Sequence, residues 1–262
     1  MATFGFQLLV GALMAVLIAL NITRMPKTTP EFAIQFDPLL QAPAVALGST
    51  LTLLGLFAWL SRRRPWALRT LGWVGNRRDV ALGLKWAILL IPVTILVAAL
   101  VDQFVEYEHQ AIDAVRLLER PETIIIHFLT TALIVPIIEE TLYRGLLQGS
   151  LEHIARAHRH WKSMLSADDR ASRETVRETT RLALFRESQW PPTWRARSVW
   201  PVVVTAAIFA SMHVGQGAAP IPLFVFALGL GFLFRQTGSL WPPIVVHMTL
   251  NSLTLIQVLL LR

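Results

Sequence analysis

The sequence predicts an all-α membrane bundle of about seven spanning helices, and three observations lead there. Hydrophobic residues make up 54% of the 262 positions and mean hydropathy is +0.52, well beyond the apolar share of soluble domains. These residues fall in runs of roughly 20, the length a helix needs to cross a bilayer core. The basic residues cluster between the runs, so the net charge of +7 and the isoelectric point near 10.9 are better explained by membrane topology than by nucleic-acid binding.

The expected spans are 4–22, 40–60, 80–101, 123–149, 199–215, 220–236 and 241–261, forming one membrane domain over 1–262. No Lys or Arg precedes the first run, and its length suits a retained span better than a signal-peptide core. The segment 23–39, with Pro26, Pro30 and Pro38, reads as a loop. After the second span comes a sharp basic block, Arg62, Arg63, Arg64, Arg69, Arg77 and Arg78, which the positive-inside rule assigns to the cytoplasm. The third span begins near Lys85, which is expected to snorkel to the interface.

Between spans three and four the sign reverses, with Asp102, Glu106, Glu108, Asp113, Glu119 and Glu122 facing outward. The long stretch 150–198 is basic again, including Arg156, Arg159, Lys162, Arg170, Arg173, Arg177 and Arg181, and returns to the cytoplasm. Within it, 172–188 suits an amphipathic surface helix or a partly disordered connector. Alternation then gives a multi-pass protein, of bacterial plasma-membrane type, with its N-terminus inside and its C-terminus outside. All nine Trp residues lie in or beside segments assigned to the inner side, as interfacial anchors would. In span six, Gly229 and Gly231 read as helix-packing contacts.

The chain is organised around span four, whose inner half reads TTALIVPIIEETLYRGLLQG over 130–149. Ionisable residues within membrane-spanning sequence are costly, which makes a functional site the default reading. Glu140 and Arg144 are i,i+4 on one face and can pair, whereas Glu139 sits about 100° round the helix without that partner. Glu139 is therefore the better candidate for a reactive carboxylate, and a purely structural Glu-Arg lock is the competing reading. Pro136 withholds a backbone donor from the carbonyl of Ala132 in an α-helix, so a kink is expected there.

Two further spans carry polar groups at helical spacing. FASMH puts Phe209 and His213 at i,i+4 on span five, and HMTLN puts His247 and Asn251 in the same relation on span seven. His127, near the outer end of span four, reads as a packing residue. Glu, His, His and Asn in hydrocarbon each need a partner, and they are expected to gather around water or a metal. Counted from the inner ends of their spans at 1.5 Å per residue, Glu139, His213 and His247 lie about 16, 21 and 9 Å deep, so helices must tilt or break for them to meet.

Such a set can hydrolyse a bond. A carboxylate beside an imidazole takes a proton from water, while a second imidazole and an amide donate to an oxyanion. The sequence contains neither a GxSxG elbow nor an HExxH helix, which leaves water activation by other groups. A proton or cation relay in a transporter is an alternative use of the same residues, as is a non-catalytic membrane scaffold or self-immunity protein.

EETLYR, FASMH and HMTLN, in that order, resemble the EExxxR, FxxxH and HxxxN/D motifs of the type II CAAX prenyl endopeptidase and bacteriocin-processing family, also called the abortive-infection family. The resemblance covers about 123–255, the expected catalytic core, and the first three spans match only in being apolar. It implies an all-helical intramembrane protease acting on a peptide or lipidated protein in contact with membrane lipid, with no role for nucleic acid. Glu139 and His213 would activate water, His247 and Asn251 would stabilise the oxyanion, and Glu140, Arg144 and Phe209 would support them. A divalent metal such as zinc, if bound, would use Glu139, His213 and His247, although general base catalysis without a metal is the expectation. The charged stretch between the first two motifs departs from the pattern in its length.

Overall fold

In the computed structural model the described residues are 65–73, 75–105, 121–155 and 198–261, with isolated positions between 48 and 62 and at 158 and 174. The expected span 4–22, much of 40–60, the acidic loop beyond residue 105 and most of 150–198, including 172–188, lie outside them.

Every regular element among the described residues is helical. A short helix α1 (Pro65–Thr70) leads through a turn into α2 (Arg77–Asp102). The start of α2 is set by a capping box, in which Asn76 Oδ1 accepts from Arg78 N and Asp79 Oδ2 accepts from Asn76 N. One helix then runs to Ala155 with two changes of register. It comprises α3 (Pro121–Phe128), a π-helical segment Leu129–Ile134, α4 (Val135–Glu140) and a second π-helical segment Thr141–Gln148. Three helices complete the bundle: α5 (Trp200–Ser211), α6 (Pro220–Thr237) and α7 (Trp241–Leu260).

Four helices are long and apolar enough to cross a membrane, namely Arg77–Asp102, Ile124–Ala155, Pro220–Thr237 and Trp241–Leu260. They coincide with expected spans three, four, six and seven. Their outward faces are apolar and exposed, as at Ile88, Leu89, Leu96, Ile125 and Leu253, which suits contact with lipid. The chain is thus an integral membrane protein, and an all-α architecture of about seven helices fits it.

The interior is a set of interlocking clusters. Ala87, Leu90 and Ile91 of α2 pack with Phe226, Leu230 and Leu233 of α6 and Val246 of α7. Small residues bring the backbones close. A Cβ at Gly83 would lie 2.8 Å from the carbonyl oxygen of Pro242, and one at Gly229 would lie 2.5 Å from Leu90 Cδ2. Gly72, at φ +87°, accepts a backbone hydrogen bond from Leu240 N, and the rings of Trp73 and Trp241 meet edge-on at 5.9 Å. These contacts bring the loop before α2 and the α6–α7 turn to the same end of the bundle, as alternation of the expected spans requires.

Span five differs from expectation. The helix ends at Ser211 rather than reaching 215, and residues 212–219 follow as turns. Gly215 (φ +98°) and Gly217 (φ +55°) adopt left-handed backbone that other residues rarely take, which is incompatible with a helix running through 215.

Candidate active site

The four candidate residues come from α4, from α7 and from the turn that follows α5, with Glu139 beside His247 and with Phe209 packed against both His213 and His247. Glu139 and Glu140 end α4 where the backbone passes into the second π-helical segment, a type of irregularity common at functional sites. Their environments differ sharply. The Glu140 side chain is fully buried, accepts from Arg144 Nε at 2.9 Å, and has its other oxygen 2.9 Å from His247 Nδ1. The Glu139 side chain is 27% exposed, and its Oε2 lies 3.7 Å from His247 Nε2, within ion-pair range but beyond a hydrogen bond. The i,i+4 pairing expected of Glu140 and Arg144 is therefore present, with Glu139 outside it and partly exposed.

His247 is buried on α7, and its partners define its tautomer. Ionised Glu140 only accepts, so Nδ1 carries the hydrogen of that bond, and Nε2 is the nitrogen directed toward Glu139. The ring is steadied by Phe226, edge-on at 5.4 Å, and by Phe209, edge-on at 6.0 Å.

Phe209 is the centre of a second group of contacts. It is 1% exposed, with Tyr143 edge-on at 5.1 Å, His213 tilted at 5.2 Å and the Arg144 guanidinium carbon 5.8 Å from its centroid. His213 does not share a helix face with Phe209 as its spacing suggested. It lies two residues past the end of α5, its N–H donating to Ala210 O and its Nδ1 3.1 Å from Phe209 O. The tightening turn swings the imidazole back against the Phe209 ring. The breaks in two helices, π-helical in one and a glycine-bearing turn in the other, answer the mismatch in depth that straight helices imposed.

Asn251 lies one turn beyond His247 on α7, as expected, and its Nδ2 donates to Thr131 O at 2.9 Å. Pro136 was read as depriving Ala132 of its helical donor in an α-helix, and the structure adds a second carbonyl to that account. Here Val135 N–H donates to Thr130 O, five residues back, and in that register the carbonyl facing Pro136 is that of Thr131.

The donors do not suit a metal. Among the described residues no group of three His, Cys, Asp or Glu side chains could hold one, so Glu139, His213 and His247 do not form a ligand set.

Tyr143, Phe226 and the Thr131 carbonyl were not singled out from the sequence. Tyr143 had a signal, because it stands i,i+4 from Glu139 and is one of only two tyrosines. His127, set aside as a packing residue, is buried.

The family model for type II CAAX prenyl endopeptidase Rce1-like proteins matches residues 121–168 and 175–253. The match contains all three motifs and extends through most of the charged stretch between the first two, breaking only over 169–174. No curated protein and no solved structure matches the chain. The family is one of proteases, and the bounds of the match fall within a few residues of the core outlined by the motifs. This membrane protein belongs to the type II CAAX prenyl endopeptidase Rce1-like family.

Proposed function

We propose that the chain is an intramembrane endopeptidase that cleaves a membrane-embedded or lipid-modified protein, with Glu139 as the base that activates water. The observation that carries this reading is the asymmetry of the adjacent carboxylates. Glu140 is buried and doubly engaged, whereas Glu139 is partly open and has no hydrogen bond shorter than its 3.7 Å approach to His247. A carboxylate already spent on a guanidinium and an imidazole is a poor base. One with space in front of it can hold water and accept its proton.

In this scheme Glu139, aided by His213, takes a proton from water as the oxygen attacks the scissile carbonyl. His247 and Asn251 donate to the oxyanion, and the proton passes to the departing amine as the C–N bond breaks. Because Nδ1 of His247 gives its hydrogen to Glu140, donation from Nε2 requires the doubly protonated ring. Glu140 and Arg144 hold that ring in place, and Phe209 packs beside it. No step requires a metal.

The accompanying orientation has the N-terminus and the loops 61–79 and 150–198 in the cytoplasm of a bacterial cell, supported by their arginine blocks. A cysteine introduced at Ser163 should resist an impermeant reagent added outside intact cells, and labelling there would reverse the assignment. Incubating the purified protein with matched lipidated and unlipidated peptides tests the function. Discrete cleavage by the wild type and none by Glu139→Ala are expected, and equal cleavage by both would overturn the reading.

A further inference from the structure

The hydrogen bond from Asn251 to Thr131 joins residues 120 apart in sequence, and the reason that carbonyl is available lies in the proline between them. In an α-helix Thr131 O would accept from Val135 N–H. Val135 instead donates to Thr130 O, in the i→i−5 pattern of the π-helical segment Leu129–Ile134. The next residue in that pattern is Pro136, which has no N–H. Thr131 O is thereby passed over by both backbone positions that could have served it. An unpartnered carbonyl is costly in an apolar interior, and Asn251 Nδ2 supplies the missing donor.

We propose that Pro136 is a positioning residue for Asn251. By withholding its N–H from Thr131 it presents a fixed acceptor that decides which end of the Asn251 carboxamide faces the helix. Nitrogen must point at Thr131, because the flipped amide would set oxygen against oxygen. One amide hydrogen is used in that bond and the second remains for substrate. The inference rests on the proteolytic reading above, in which Asn251 donates to the oxyanion. It adds that the proline which breaks the helix also orients the donor on α7.

The test is a double-mutant cycle on the full chain in detergent, comparing wild type, Pro136→Ala, Asn251→Ala and the double variant by melting temperature, kcat and KM. Pro136→Ala restores a backbone donor to this turn, so Thr131 O no longer needs Asn251. Asn251→Ala should lower the melting temperature by several degrees in the wild-type background and by little or nothing in the Pro136→Ala background. Pro136→Ala alone should lower kcat at least about tenfold with KM nearly unchanged, because the amide loses its orientation while binding contacts remain. The double variant should be no slower than Asn251→Ala.

Pro136→Val, which restores the same N–H at similar volume, guards against a cavity left by alanine. Additive effects on melting, or wild-type kcat in both proline variants, would overturn the proposal. Wild-type turnover by Asn251→Ala would also overturn it, by removing Asn251 from the reaction. Glu139→Gln in the same assay separates the two levels. If it too retains turnover the proteolytic reading itself fails, and if only the cycle fails that reading stands without the role for Pro136.

Discussion

The sharpest prediction concerns two neighbouring glutamates that should fail in different ways when each is replaced by glutamine. Glu140→Gln removes the counter-charge from a guanidinium with no exposure and replaces two accepting oxygens with one, where Arg144 Nε and His247 Nδ1 are each 2.9 Å away. Breaking one partner of a buried ion pair costs about 3–5 kcal/mol, and the remaining amide oxygen recovers about 1 kcal/mol through a single hydrogen bond. The net loss is about 2–4 kcal/mol, which at ~2–4 °C per kcal/mol for a chain of this size lowers the melting temperature by roughly 4–16 °C. Glu139→Gln should change stability by no more than about 0.5 kcal/mol, because its side chain is partly exposed and lies beyond hydrogen-bond range of His247. Its turnover should fall by about 10²–10⁴, since an amide cannot accept the proton of water. Both quantities are measurable on one detergent preparation by thermal melting and single-turnover peptide cleavage. Equal loss of turnover with unchanged melting in both variants would refute the division of roles.

Gly231→Ala should destabilise by about 1–3 kcal/mol through overpacking, because its Cβ would sit 2.8 Å from Val202 Cγ1 and 3.0 Å from Gln148 Oε1. Gly149→Ala, whose Cβ meets nothing closer than 3.7 Å, should be neutral or stabilising by up to about 1 kcal/mol in the same melting experiment. Dialysis against a strong chelator should leave turnover unchanged, and a loss reversed only by added zinc would show that a metal takes part. His213→Ala should slow cleavage by about 10² or more if that imidazole assists proton transfer, and an unaltered rate would remove it from the site.

The parts of this architecture legible in the sequence are those governed by the cost of polarity in hydrocarbon. That cost singled out Glu139, Glu140, Arg144, His213, His247 and Asn251 in otherwise apolar runs, and i,i+4 geometry was enough to pair Glu140 with Arg144. Four of the spans followed from length and composition alone. What could not be read was backbone register. Whether Val135 donates to Thr131 or Thr130 changes no residue type and no periodicity, and the side chain that satisfies the bypassed carbonyl belongs to a helix 120 residues away. The early end of α5 was partly legible in Gly215 and Gly217, but the apolar residues preceding them made the run look long enough to span.

That early end has a consequence for the membrane itself. Twelve residues of α5 rise about 18 Å and the eighteen of α6 about 27 Å, and the packing of Val202 against Gly231 puts most of that difference at the Thr237 end of α6. Val214 in those turns is 67% exposed and the flanking glycines are not helical, while lipid-facing irregular backbone is excluded from hydrocarbon. Such a loop suits headgroups and water rather than acyl chains. In the proposed function, water reaching His213 from this end of the bundle would need no channel through the protein.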